Sequence, residues 1–313
     1  MDVKHLRYFI AIAEEGSLSA ASQRLGVAQP SLSQHVIRIE QELGVTIVDR
    51  SPRGVVLTES GMVLLRHARE ICASMTACMD AVRQSGGTPH GLVALGLPPS
   101  VSMVLSVPLA QTVRLTLPQV KLQVMEAMSG FIKKWLDDGT VDLGFLYDVE
   151  EVRHHEIELL MSEDLHFFSA REDWPLAVPP GEPVPLAEVA KLQLVLPSQR
   201  HGLRKTIDRF VRDAGLELDV FLEMDALSQI KDLVLRGSAF TILAPAAAHD
   251  CVDRGELVSS RIVDPPLTRP VYLARNKARP ESLAARKLQL IIREVVTDLV
   301  GRGIWKASER PVA

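Results

Sequence analysis

Apolar residues near the N-terminus recur at helical spacing in two segments that a short turn separates. Within 17–25, Leu18, Ala21 and Leu25 fall on one helical face, and Gly26 follows as a C-terminal cap. Pro30 suits the first turn of the next helix, whose apolar residues recur four, three and four positions apart. These residues are Leu32, Val36, Ile39 and Leu43. The pattern predicts a helix, a tight turn and a second helix.

The second helix leaves a polar face opposite its apolar stripe. This face and the start of the helix hold Gln29, Pro30, Ser31, Ser33, Gln34 and Arg38. In a helix-turn-helix the second helix offers such a face to the major groove, where Gln, Ser and Arg reach base edges and phosphates. A three-helix packing unit with a solvated polar face would show the same pattern, so spacing alone leaves both interpretations open.

Two short β-prone runs, 45–48 and 55–57, follow this helix. The turn between them holds Arg50 and Arg53 beside Pro52 and Gly54. We interpret the hairpin as a wing whose arginines reach phosphates or the minor groove. The wing favours DNA binding over simple packing.

A long helix is predicted after Thr58, because residues 62–85 contain neither Pro nor Gly. Its apolar residues recur at alternating steps of three and four, as in the seam of a coiled coil. The seam comprises Leu65, Ala68, Cys72, Met75, Met79 and Val82. It predicts a partner helix and hence dimerisation, although a helix packed onto its own domain remains the alternative. Residues 86–89 break the helix and form a hinge.

From residue 92 onward short apolar runs alternate with helical patterns, which is typical of βαβ units around a largely parallel sheet. Strands are predicted at 92–97, 122–125, 143–146, 165–169, 192–196, 220–223, 240–243 and 271–274. Helices are predicted notably at 102–115, 203–214 and 226–235. Ligands of such folds bind at the carboxyl ends of the strands, where helix N-termini present free N–H groups.

Three of the predicted strand-to-helix junctions carry polar side chains suited to a ligand. They contain Ser100, Ser102, Ser129, Ser198, Gln199, His201 and Arg204. Each serine could instead cap its own helix. Convergence of the three junctions, with cationic side chains beside one of them, favours a small organic anion such as a carboxylate as the ligand.

Composition narrows the class of protein. The chain has 313 residues, of which 47% are hydrophobic, enough for two or three domains with real cores. Its formal net charge is -4, and residues 1–58 hold six Lys and Arg against six Asp and Glu, so DNA contact would depend on where a few arginines lie. The three cysteines show no zinc or disulfide spacing, so we expect no metal, no cofactor and a reducing cytoplasm.

Other classes of protein lack their expected signals. The N-terminus has no signal-peptide layout, and prolines interrupt the uncharged stretch 91–113, so we expect neither export nor a membrane span. An α/β enzyme with an accessory N-terminal domain and a solute-binding protein are the rival hypotheses. The chain has no G-x-S-x-G elbow, Walker loop, G-x-G-x-x-G or His-x-x-x-His motif, so we expect no enzyme. A solute-binding protein would need an export signal.

The N-terminal residues resemble the LysR-type transcriptional regulators of bacteria. The resemblance runs through Leu6-Arg7-Tyr8-Phe9, Gly16-Ser17-Leu18-Ser19-Ala20-Ala21, Gln29-Pro30-Ser31-Leu32-Ser33, Glu40-Gln41-Glu42-Leu43-Gly44, Asp49-Arg50 and Leu57-Thr58-Glu59-Ser60-Gly61. It implies a mixed α and α/β fold with a winged helix-turn-helix at 1–58, a linker helix and hinge at 59–88, and an effector-binding domain at 89–313. That domain would have two lobes of the periplasmic-binding-protein type, lobe I at about 90–160 and 266–313 and lobe II at about 161–265. Crossovers between the lobes are expected near 148–163 and 262–268.

The resemblance also implies partners. The protein would bind double-stranded promoter DNA as a homodimer or homotetramer, and a small effector would modulate that binding. RNA polymerase is a further candidate partner. The sequence does not indicate which effector binds, which operator is recognised, or whether the protein activates or represses.

Overall fold

The computed structural model describes residues 1–51, 54–83, 88–148 and 154–308. It forms two compact units. The first comprises Met1–Thr88 with two short segments, Asp137–Thr140 and Lys277–Leu283, and the second comprises the rest of the chain. No helix in the described part of the chain is long and apolar enough to span a membrane.

The first unit begins with three helices and a hairpin. Its elements are α1 (Val3–Glu15), α2 (Leu18–Leu25), α3 (Gln29–Leu43), β1 (Val48–Ser51), β2 (Gly54–Leu57) and α4 (Glu59–Arg83). Ser17 caps α2 by accepting a hydrogen bond from the amide of Ala20, and Gly26 ends it in the left-handed conformation. The predicted helix, turn and helix are confirmed.

The apolar stripe of α3 forms the core of this unit. Leu32, Val36 and Ile39 are buried against Phe9 and Ile12 of α1. The first wing strand starts three residues later than the predicted 45–48. A side chain explains the difference. Glu40 Oε1 accepts from the amides of Ile47 and Val48, at 2.9 and 3.4 Å, and holds the segment before β1 as a turn.

The long helix α4 packs its first turns against this core. Thr58 Oγ1 accepts from the amide of Gly61 at 3.0 Å, as expected for an N-cap. A Cβ added to Gly61 would lie 2.0 Å from the carbonyl oxygen of Ile47, so only glycine allows this approach. Ala68 is buried and Leu65 half-buried against the core, so the start of the predicted seam faces its own unit.

Beyond residue 88 strands and helices alternate. The strands are β3 (Gly91–Leu97), β4 (Val120–Glu126), β5 (Leu143–Leu146), β6 (His155–Asp164), β7 (His166–Ala170), β8 (Val184–Pro185), β9 (Gln193–Leu196), β10 (Asp219–Glu223), β11 (Thr241–Leu243), β12 (Leu257–Val263) and β13 (Thr268–Asn276). The helices are α5 (Pro99–Thr116), α6 (Ser129–Asp138), α7 (Leu186–Val189), α8 (Gly202–Asp213), α9 (Leu227–Leu235), α10 (His249–Asp253) and α11 (Leu283–Gly301).

The first lobe is built on a five-stranded sheet with the order β4-β3-β5-β13-β6. β3 runs parallel to β4 and β5, as predicted, whereas β13 is antiparallel to both of its neighbours. The second lobe joins a four-stranded sheet, β11-β7-β12-β8, to the parallel pair β9 and β10 through a bridge between Leu194 and Phe240. The first sheet is mixed because β13 returns from the second lobe in the opposite direction. The second sheet is mixed because β7 is antiparallel to β11 and β12, whereas β12 and β8 are parallel.

The crossovers between the lobes lie side by side. Most of the first predicted crossover, 148–163, is instead occupied by β6, which pairs with β13 along its whole length. The chain then leaves the first sheet at Leu165, whose amide donates to the carbonyl of Leu267 at 2.8 Å on the returning segment. Each lobe has its own apolar core.

Candidate DNA interface and effector site

The predicted DNA-contacting residues of α3 lie on one face of the helix. Five of them are exposed, namely Gln29, Pro30, Ser31, Gln34 and Arg38, and Ser33 is half-buried. Arg50 lies in β1, and Arg53, at the predicted wing tip, lies outside the described residues. This polar face is exposed to solvent because the opposite, apolar face of α3 is buried in the core.

The start of α3 suits an anionic backbone. Its first turn carries no acidic residue, and no side chain caps it at Ala28. The N–H groups of a first helical turn have no partners within the helix and lie at the positive end of its dipole. In α3, however, Pro30 has no N–H and the Ser31 amide donates to the carbonyl of Ala28 at 2.9 Å. A phosphate placed there would therefore accept from the Gln29 amide, without competition from a carboxylate.

The seam residues of α4 differ in exposure. Beyond Leu65 and Ala68, Cys72 is half-buried, whereas Met75 and Met79 are 44% and 38% exposed. Val82 is the most exposed of the seam residues, at 76%. The distal half of the seam is therefore an apolar row without cover in the single chain.

A cavity of about 20 Å³ lies between the two lobes of the second unit. One wall holds Pro98, Pro99, Ser100, Tyr147 and Arg269, and the other holds Pro197, His201, Leu203, Asp225, Leu227, Ile230, Leu243, Ala244 and Ala247. Such a volume accommodates about one water molecule. A larger ligand therefore requires the walls to separate.

Arg269 lies at the base of the cavity as one half of a buried ion pair. It faces Glu163 directly across the β13–β6 ladder, and both residues are 1% exposed. Its Nε donates to Glu163 Oε1 at 2.9 Å, and its Nη2 donates to the same oxygen. Trp305 Nε1 donates to Glu163 Oε2 at 2.9 Å, so both carboxylate oxygens are engaged. The pair is rigidly held and electrically neutral.

The same guanidinium also faces the cavity. Its Cζ lies 3.6 Å from the centroid of the Tyr147 ring, and its Nη2 donates to Ser100 Oγ at 3.3 Å. Ser100 Oγ lies 2.7 Å from Tyr147 Oη. Burial raises the pKa of Tyr147 to about 12, so its hydroxyl stays protonated. Within the described residues, Arg269 Nη1 has no hydrogen-bond partner.

His201 lies on the opposite wall, at the N-cap of α8. Its Nδ1 accepts from the amide of Leu203 at 3.1 Å. Burial, followed by the charge of Arg269, lowers the pKa of the His201 imidazole. The ring is therefore neutral and carries its proton on Nε2, which leaves one further donor.

The structure brings only some of the predicted effector residues to the cavity. Ser100 and His201 line it, while Ser102 Oγ lies 3.0 Å from Ser106 Oγ. Ser129 Oγ lies close to the start of α8, 2.9 Å from where a Cβ on Gly202 would be.

The remaining predicted residues lie outside the lining. The amide and hydroxyl of Ser198 bind the carboxylate of Asp225, and Gln199 is exposed. Arg204 donates to Asp208, Glu223 and the carbonyl of Pro197, so its charge is used within the second lobe.

Sequence reasoning missed Tyr147, Glu163 and Arg269. Arg269 and Arg275 are the two charged residues of β13, and Arg269 precedes Pro270 and the apolar residues 271–274. A charge at such a position is rarely buried unless it is paired, and this was the available signal for Arg269. Glu163 lay inside the segment interpreted as a crossover. In the described residues, no three His, Cys, Asp or Glu side chains cluster as a metal site would require.

Comparisons with known proteins cover nearly the whole chain. The model of the LysR substrate binding domain matches residues 86–297, and that of the bacterial regulatory helix-turn-helix protein, lysR family, matches residues 3–62. The nitrogen assimilation regulatory protein nac of Klebsiella aerogenes is 30% identical over 294 residues, which cover 93% of this chain and 94% of that protein.

Two solved structures share the fold. Full-length OxyR from Pseudomonas aeruginosa aligns with a TM-score of 0.75 and 20% identity, covering 95% of this chain and 97% of that one. CbnR in complex with its target DNA aligns with a TM-score of 0.56 and 23% identity, covering 95% and 100% of the two chains.

Proposed function

Because the chain belongs to the LysR family of bacterial DNA-binding transcriptional regulators, we propose that a small anion bound between its two C-terminal lobes modulates its binding to promoter DNA. The observation that carries this proposal is Arg269. A buried guanidinium whose Nη1 has no partner within the described residues, beside the hydroxyl of Ser100, offers directed donors to an anion. The N-terminus of α5 adds first-turn amides at the same wall.

The two walls give the anion a way to act on the lobes. Ser100 and Arg269 belong to the first lobe, and His201 belongs to the second. A ligand that bonds to both walls binds the closed arrangement more tightly than the open one. Because a ligand shifts an equilibrium only by this difference in affinity, removing one donor should lower both affinity and response.

At the DNA end, we propose that α3 enters the major groove with Gln29, Pro30, Ser31, Ser33, Gln34 and Arg38, while Arg50 and Arg53 of the wing reach the backbone. The proposed division is a DNA-binding domain at 1–58, a linker at 59–88 and an effector domain at 89–313. Dimers would form through α4. Two dimers would assemble into a tetramer, and the protein would act in the cytoplasm, where it would also contact RNA polymerase.

Mobility-shift assays at stated salt test this function. Fragments flanking the protein's own gene should be retarded, and a panel of small carboxylates should change the affinity for at least one of them. Ser100→Ala should keep DNA binding and lose most of the carboxylate response. Thr116→Ala removes a hydroxyl from the exposed end of the same helix and should respond as wild type. No retardation of any fragment, or an equal response in Ser100→Ala, would contradict the proposal.

A further inference from the structure

The net charge of the residues around the cavity is not positive. The guanidinium of Arg269 is neutralised by Glu163, which no other cation among the described residues contacts. Asp225 adds a second carboxylate to the lining, and its hydrogen bonds from Ser198 lower its pKa, so it stays ionised. His201 is neutral. Among the described residues the lining contains no second Lys or Arg, so the region carries about one net negative charge.

Apart from the hydroxyls of Ser100 and Tyr147, the rest of the lining is apolar. The second lobe contributes Pro197, Leu203, Leu227, Ile230, Leu243 and two alanines, and the first contributes two prolines. Hydrogen-bond donors are therefore few, and hydrocarbon makes up most of the lining. A ligand that fits this distribution has one polar head and an apolar body.

Resting on the function proposed above, we propose that the cavity selects a singly charged carboxylate with an apolar body, and that Glu163 is the residue that sets this charge preference. One carboxylate oxygen accepts from Arg269 Nη1, and the other accepts from Ser100 or the first-turn amides of α5. Tyr147 and His201 supply neutral donors, which add no charge.

A second negative charge on the ligand would lie against leucine and isoleucine side chains or beside Asp225. It would lose its hydration without gaining a cation, and it would be repelled by Glu163 through a region of low dielectric. At an effective dielectric constant of about 20, the repulsion between two like charges several ångströms apart lowers affinity by on the order of 10- to 100-fold. A diacid should therefore bind more weakly than the corresponding monoacid by about this factor. Glu163 thus holds Arg269 in place and limits the charge that Arg269 accepts.

Calorimetry with the full-length protein tests the preference directly. Butyrate, valerate and benzoate are each compared with the diacid of the related skeleton, namely succinate, glutarate and phthalate. Monomethyl succinate, which carries one charge on the succinate skeleton, completes the panel. We expect at least one monocarboxylate to bind at least about tenfold more tightly than its diacid, and monomethyl succinate to bind more tightly than succinate.

The variant Glu163→Gln should reduce the ratio of monoacid to diacid affinity by about tenfold or more. Glu158→Gln is the matched control, because it removes the same charge from the same strand, where Glu158 pairs with Arg293 at the surface. Its ratio should equal that of the wild type. If Glu163→Gln does not fold, the wild-type ratios and monomethyl succinate decide the matter.

Diacids that bind as tightly as their monoacids, or a folded Glu163→Gln with an unchanged ratio, would overturn the charge preference. Mobility shifts with the same ligands separate this from the proposed function. A diacid preference that still alters DNA binding refutes only the inference, whereas a monoacid preference without any effect on DNA refutes only the function. Binding of no anion in the panel refutes both.

Discussion

The polar residues of α3 and those of the cavity meet opposite conditions. Gln29, Ser31 and Gln34 are exposed, whereas Glu163 and Arg269 are 1% exposed and bonded to each other. Replacing an exposed polar side chain costs the protein little stability, because water already satisfies the hydrogen bonds of that side chain. A buried charge is tied to its partner, so function and folding depend on the same contact. We therefore expect the proposed DNA-contacting face of α3 to tolerate changes of specificity more readily than the cavity does.

The largest expected effect breaks the buried pair. Arg269→Met leaves Glu163 buried with Trp305 as its donor and should lower the free energy of unfolding by about 3–5 kcal/mol. Urea denaturation measures this loss. Arg293→Met breaks the exposed pair with Glu158 and should cost no more than about 1 kcal/mol. Equal losses of unfolding free energy in the two variants would show that the buried ion pair contributes no more to stability than the exposed one.

A second test concerns the distal seam of α4. Met75→Glu places a charge on the exposed apolar row and should cost several kcal/mol of dimerisation free energy if that row is buried by a partner helix. Light scattering should then report the monomer mass. Met62→Glu, on a side chain of the same helix that is 58% exposed, should leave the mass unchanged. A dimeric Met75→Glu protein would place the interface elsewhere.

At the DNA face, Gln29→Ala should relax base preference by on the order of 1–3 kcal/mol while leaving the unfolding midpoint unchanged. Competition binding against single-base operator variants measures the preference. Gln41→Ala, at the exposed far end of α3, is the control and should keep wild-type preference. Loss of stability in Gln29→Ala would erase the contrast drawn between this face and the cavity.

The smallest expected effect is a pH dependence. Burial, followed by the charges of Lys306 and Arg261, lowers the pKa of His166 from 6.5 to about 3. The unfolded chain thus binds a proton that the folded chain excludes, so stability is full above pH 6.5 and falls as the pH drops towards 3. Between pH 6 and 5 the loss should be about 1 kcal/mol. His166→Gln should flatten this slope in thermal unfolding, and His67→Gln, at an exposed site, should not.

Local signals made the first unit predictable. Ser17, Gly26 and Thr58 act within a few residues of themselves, and the stripe of α3 needs only helical periodicity. The junction at Ser100 was found in the same way. Arg269 and Glu163 are 106 residues apart, and their meeting depends on the register of two antiparallel strands, which no local pattern encodes.

The strand β6 was missed for a related reason. Its sequence, His155–Asp164, carries four acidic residues and does not alternate cleanly between apolar and polar positions. Two of these, Glu156 and Glu158, are paired with arginines of β13 and α11. Charges that a neighbouring element neutralises look like a solvated loop when the sequence is considered alone.

Because Gly61 packs closely against Ile47, residues 1–58, here called the head, and the first turns of α4 form one rigid body. A helix of 25 residues is about 38 Å long, so a dimer that pairs through its distal half would carry each recognition helix at the end of a lever. A change of roughly 5° in the angle between two such levers would move the two heads relative to each other by about 3 Å, close to the 3.4 Å step between base pairs. Gly61→Ala should weaken the packing between the head and α4 and widen the range of distances between the two heads of a dimer on DNA.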